Sequence, residues 1–207
     1  MTIQELKIKH EKLKDLDTNG LSNRSPYKIF GSFDHQYKFN PSLTLESVKI
    51  FEDTFLISLP TDYKEFLIEI GDGGSGPAYG LFPLAGWNAG LEINENNFLS
   101  TPFPHSDKWD IDPEINPEIE SYSEEYKKWE DEYCSNKYIT GSLRICHHGC
   151  GTVSLIVVTG TSAGQIWIDD RANDNGIFPD ISKSTGERHS FVTWYNEWLS
   201  ESLNELM

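Results

Sequence analysis

Long apolar runs are the first thing this 207-residue sequence lacks. Its most apolar stretch, Val153 to Val158, is far shorter than the ~20 residues a membrane-crossing helix needs. The opening MTIQELKIKHEKLKDL has no apolar centre of the signal-peptide kind. Cysteine is scarce: three, an odd number, argues against a disulfide framework and for a reducing, cytoplasmic setting. Basic residues are scarce as well, 17 Lys and Arg against 33 Asp and Glu, for a formal net charge of −16. Phosphate contacts need cations, so neither nucleic acid nor an anionic membrane is an expected partner. A partner with a basic surface is. There is no low-complexity tract and no repeat at solenoid spacing.

What is present is enough for a core. Hydrophobic residues make up 37% of the chain and aromatics 13%, too many for a disordered protein. The first segment reads as an amphipathic helix opened by a Thr2–Glu5 capping box. Residues 17–43 are polar and turn-rich, yet their aromatics (Tyr27, Phe30, Phe33, Tyr37, Phe39) predict a segment wrapped against the protein. Val48, Phe51 and Phe55 predict a helix from Thr44, and Tyr63, Phe66, Leu67 and Ile70 a second one just after Pro60, capped by Gly71. Tyr79–Phe82 reads as the first strand.

Residues 85–140 are the least regular. Pro102, Pro104, Pro113 and Pro117 keep the earlier part out of regular structure. Ile119, Tyr122, Tyr126, Trp129 and Tyr133 then predict a helix with an aromatic stripe, acids on its other faces and Glu124 placed to pair with Lys128. Residues 142–182 read as antiparallel strands. Val153, Leu155 and Val157 face one core, Ile166 and Ile168 alternate with Trp167, and Asn175-Gly176 marks a turn. Phe191, Trp194, Tyr195, Trp198 and Leu199 predict a closing helix from Ser190. Helices, then strands, then a helix make the class α+β with a mainly antiparallel sheet.

Several blocks carry a family resemblance. They are Leu59-Pro60-Thr61-Asp62-Tyr63-Lys64-Glu65-Phe66-Leu67, the Gly71–Leu84 turn, His148-Gly149-Cys150, Leu155–Gly160, Gly164–Trp167, Asp169-Asp170-Arg171 and Phe191–Leu199. In this order, over roughly residues 32–200, the chain resembles the SUKH superfamily. The resemblance implies a SUKH-like domain with helices packed around a curved, mainly antiparallel sheet. It divides the chain into a helix and wrapped extension (1–43), the domain itself (44–200, with an acidic insertion at about 85–140) and the end of the last helix (201–207). It also implies function by binding. Bacterial members are widely immunity proteins that neutralise a cognate toxin, often a nuclease, and fungal relatives are regulators or scaffolds linked to cell-wall synthesis.

Other constellations point to less. Gly71, Gly73 and Gly76 match G-x-G-x-x-G, but follow a helix and precede a strand, the wrong context for phosphate. Cys146, His148 and Cys150, with Cys134 or His105, invite zinc but lack zinc-ribbon spacing, and the bland alternative is a buried cysteine pair at a strand turn. Asp169–Gly176 fails the calcium pattern, because Arg171 and Ser182 occupy ligand positions. No nucleophile–base arrangement is legible, so no catalytic residue, metal or cofactor is expected. The expected partner, from the resemblance, is a cognate toxin with a basic surface. Between Asp107 and Glu132 there are eleven acids and three lysines, half the net charge. Asp107, Asp110, Asp112, Glu114, Glu118 and Glu120 are therefore the candidate steering acids and Trp109 the candidate anchor. Trp87 and Trp167 are further candidates, each with a core position as the alternative.

Overall fold

Thr2 opens the first helix, α1 (Ile3–Thr18), in the computed structural model, which describes residues 2–19, 26–93, 97–111 and 123–207. The capping box forms: Thr2 Oγ1 accepts from the Glu5 amide at 3.2 Å and Glu5 Oε2 from the Thr2 amide at 2.7 Å. A single turn, α2 (Ser32–His35), precedes α3 (Leu45–Phe55), which Thr44 caps with Ser47. Helix α4 (Thr61–Glu69) begins directly after Pro60, whose fixed φ suits a helix start. Gly71 follows α4 for a different reason from the expected cap. A Cβ there would lie 2.6 Å from the Asn40 carbonyl oxygen and 2.7 Å from Phe39 Cβ, so close chain approach demands glycine. Helix α5 spans Glu124–Tyr133 and α6 spans Phe191–Leu206. Helix α1 packs along α6, and both meet α4.

The expected strand at Tyr79–Phe82 does not form. Leu81 makes only single-residue bridges, to Gly74 and to Cys146. Gly80, at φ +94°, brings the chain back so tightly that a Cβ would sit 2.3 Å from the Gly74 oxygen. Four strands do form, in the order β1 (Ser142–Gly149), β2 (Thr152–Val157), β3 (Ile166–Asp169) and β4 (Ile177–Pro179), each antiparallel to its neighbour. The α+β class follows.

Simple alternation fails in the sheet because both faces are covered. Ser154 and Ile156 of β2 are as buried as Val153 and Leu155. In β3, Trp167 and Asp169 are buried while Ile168 is half-buried. The second cover comes from residues 97–111. The Phe103 ring lies 5.0 Å from Trp167 and the His105 ring 6.3 Å. The Phe103 amide bonds the Thr159 carbonyl at 2.8 Å, and Trp109 exchanges two 2.8 Å backbone bonds with Ile177 at the sheet's β4 edge. Phe98, Leu99 and Phe103 thus give the polar, acidic stretch an apolar inner surface.

Asp17 holds the 26–37 segment to α1. Its buried carboxylate accepts from the Lys28 amide (2.8 Å), the Ser32 hydroxyl (3.0 Å) and the Tyr37 hydroxyl (2.7 Å). Tyr37 is accordingly buried, but Phe30 and Phe33 are not wrapped as expected: they are 62% and 70% exposed. Their segment follows hydrogen bonds rather than hydrophobicity.

Trp194, buried on α6, is expected to cost ~3–5 kcal/mol when truncated to Ala, against a whole-domain stability of ~5–15 kcal/mol. Thermal unfolding checks this; a midpoint within a few degrees of the parent contradicts the docking. A pH dependence follows from His10 and His35. Burial pushes each down to about 4, from an ordinary value near 6.5. Between those values the unfolded chain binds more protons, so stability falls as pH drops through the window and is unaffected by these groups above it. Urea midpoints from pH 7 to pH 4 are expected to fall less steeply for His10→Asn than for the parent.

Candidate partner-binding surface

Ser123 starts α5 by accepting from the Tyr126 amide at 3.0 Å. The expected stripe is present from there on: Tyr126 and Trp129 are half-buried and Tyr133 is buried, with ring centroids 5.5 and 4.9 Å apart. Ile119 and Tyr122 lie outside the described residues. The ladder continues through Trp109, stacked 5.6 Å from Tyr133 and tilted against Tyr138 at 4.0 Å, to His105 at 5.4 Å and so to Trp167. Aromatic contact therefore runs unbroken from α5 to the sheet, and such pairs add ~0.5–1.5 kcal/mol each beyond area burial.

A buried ion pair fixes where α5 sits. Arg171 donates to both oxygens of Asp169, at 2.7 and 2.9 Å, while its remaining nitrogen reaches the carbonyls of Tyr133 (2.8 Å) and Ser135 (2.9 Å). One planar guanidinium thus joins the end of β3 to the C-terminal end of α5, a geometry an ammonium cannot copy.

The outward faces of α5 carry Glu124, Glu125, Glu130, Asp131 and Glu132, all exposed, with Lys127 and Lys128. Glu124 pairs with Lys127 at 3.1 Å, one residue nearer than the expected Lys128. The Lys137 ammonium, and after it the Tyr138 hydroxyl, hold the Glu132 carboxyl below the usual carboxylate range. Glu132, on this acidic ridge, is therefore ionised at neutral pH.

Asp107 is exposed and pairs with Arg188 at 2.9 Å. Asp110 accepts from the Tyr133 hydroxyl at 2.9 Å and lies 3.5 Å from Lys108. Trp109 is half-buried between them. Asp112, Glu114, Glu118 and Glu120 lie outside the described residues. Trp87 and Trp167 are core side chains, 7% and 0% exposed, and offer no surface to a partner. Trp167 is sealed by Phe103 and His105, a cover that β3's own sequence does not reveal. Phe30, Phe33 and Tyr79 were the reverse case, exposed where burial was expected or left open. The one local signal for them is Phe30-Gly31-Ser32-Phe33: Gly31, at φ +76°, turns the chain there, and a Cβ would lie 1.7 Å from the Ala78 oxygen.

The histidines and cysteines singled out in the sequence, and His189, are engaged or enclosed to different degrees. His189 has both ring nitrogens engaged, by Asp180 at 2.9 Å and Glu197 at 2.6 Å, leaving no nitrogen for a substrate proton. The Cys146 thiol is buried against the Pro77 carbonyl, and burial pushes its pKa far up. His148 turns to Ser154 at 2.7 Å, and Cys150 is exposed at the β1–β2 turn. Among the described residues no group of three or more His, Cys, Asp or Glu is placed to hold a metal ion. None of the described helices is long and apolar enough to cross a membrane.

Arg171→Met, which strands Asp169 in the interior, is expected to destabilise the protein by ~3–5 kcal/mol. Arg171→Lys is expected to recover only part of that, measured by denaturant unfolding.

No curated protein and no solved structure matches the chain significantly. The family model SMI1/KNR4 (SUKH-1) matches residues 42–197, from the turn before α3 to the middle of α6. That family is one of generally non-enzymatic proteins with immunity or cell-wall-regulator-like roles. With the match running through α3, α4, α5, the whole sheet and into α6, the chain belongs to the SMI1/KNR4 family (SUKH-1).

Proposed function

We propose that this chain is a cytoplasmic immunity protein that neutralises a cognate toxin by binding it, without chemistry of its own. The family match is the observation that carries the reading. The exposed acids of α5 support the further step that the toxin presents a basic surface, as a nuclease active face does. A net charge of −16 attracts such a surface at long range, and opposite fields raise association rates towards ~10⁸–10⁹ M⁻¹s⁻¹ at low salt. Asp107 and Asp110 extend the acidic face, and Trp109, rigid within its ladder, is the aromatic anchor beside them. Asp112, Glu114, Glu118 and Glu120 belong to the same acidic stretch of sequence. Ion pairs at so exposed a face contribute ~0–1 kcal/mol each to affinity, so their chief effect is on encounter.

Co-expression with its cognate toxin is expected to restore growth. Changing Glu124, Glu125, Glu130 and Asp131 together to Gln and Asn is expected to slow association by about tenfold at low salt and little at high salt. Stopped-flow mixing reads both. An association rate indifferent to ionic strength would sink the electrostatic part, and absence of rescue the immunity reading itself.

A further inference from the structure

A concave site that includes none of the α5 acids lies where α6 meets the 27–33 segment and the 77–79 turn. It is a cleft of about 260 Å³ lined by Ile29, Phe30, Ala78, Trp198, Glu201 and Glu205. Two of its walls are aromatic. Phe30 is 62% exposed and meets Tyr79, 47% exposed, edge-to-face at 5.3 Å. Trp198 is half-buried and braced by Tyr195 at 5.1 Å and His35 at 6.3 Å. Its carboxylates stand one helical turn apart on α6. Glu201 already holds Lys183 at 2.7 Å, whereas Glu205 makes no ion pair among the described residues.

We propose that this cleft is a docking pocket for an arginine side chain of a partner protein, with the guanidinium stacked on the Phe30 and Trp198 walls and bonded to Glu205. An apolar occupant would bury carboxylate oxygens without a partner, which is unfavourable. A lysine ammonium satisfies the charge, but it is a compact, strongly hydrated point charge that cannot lie flat on an aromatic face as a planar guanidinium does. Cation–π contact is worth ~0.5–1 kcal/mol at exposed sites and more when water is excluded. His148, also in the lining, does not oppose a cation: burial lowers its pKa, so it is neutral at physiological pH. Exposed aromatics at the rim are what a protein contact uses. Phe30 and Tyr79 supply large, stiff surface next to the pocket, and aromatic and arginine residues are enriched where binding energy concentrates. The inference rests on the binding-protein reading only in taking the occupant to be part of a protein; it needs neither the acidic ridge nor a toxin.

The test is a nuclear magnetic resonance titration of the full chain with N-acetyl-arginine methylamide and, separately, its citrulline counterpart, the neutral isostere. Saturable shifts are expected at the Trp198 indole N–H and the Phe30 and Ala78 amides with arginine. Citrulline is expected to give a response several-fold weaker. Glu205→Gln, at an exposed position, is expected to weaken arginine binding by about threefold to fivefold with the thermal midpoint unchanged. Phe30→Ala is expected to weaken both probes. Equal response to citrulline, no effect of Glu205→Gln, or shifts spread over the α5 acids instead of the cleft would overturn the proposal. Because neither probe contains a toxin, each of these outcomes is independent of the salt dependence and growth rescue that test the proposed function.

Discussion

A buried guanidinium governs much of this structure. The Arg171 guanidinium is buried, so it needs its partners inside the protein. It finds Asp169 on β3 and the carbonyls of Tyr133 and Ser135 at the C-terminal end of α5. The same contacts that satisfy its charge therefore determine where the acidic helix lies against the sheet. Once Tyr133 is held there, its hydroxyl accepts from the Gly176 amide and donates to Asp110, and its ring stacks on Trp109. Trp109 in turn pairs with Ile177 and closes the β4 edge, which otherwise presents unpaired backbone groups.

Helix α5 is electrostatically uneven. Glu124 and Glu125 lie in its first turn, where the helix dipole welcomes negative charge. Glu130, Asp131 and Glu132 crowd its other end, where the dipole is unfavourable. Arg171 and Lys137 offset that end, one through the last carbonyls and one through Glu132. The counter-charges serve the helix terminus, and the acids farther out keep their field.

Local pattern explains which parts of the fold were legible. Helices α1, α3, α4 and α6 were readable because capping residues and 3.6-residue spacing are properties of a few consecutive positions. Thr2, Thr44, Pro60 and Ser190 stand where those helices begin. The aromatic stripe of α5 was readable for the same reason. The glycine loop after α4 was recognised as structural because it follows a helix, whereas phosphate binding needs it to open one. Even there the physical need was different: Gly71 answers the nearness of Phe39 and Asn40, which no local pattern encodes.

Taken alone, then, the sequence determined the α+β class, the starts of four helices, the family resemblance and the concentration of negative charge before residue 133. Tertiary structure decided which aromatics are core and which are surface. Trp167 is enclosed because Phe103 and His105, some sixty residues earlier, lie over it. Phe30 and Phe33 remain outside because Asp17 holds the Lys28 amide and draws Ser32 and Tyr37 inward around them. Burial of a large side chain depends on what distant chain covers it, and hydrophobicity measures only the gain if such cover exists.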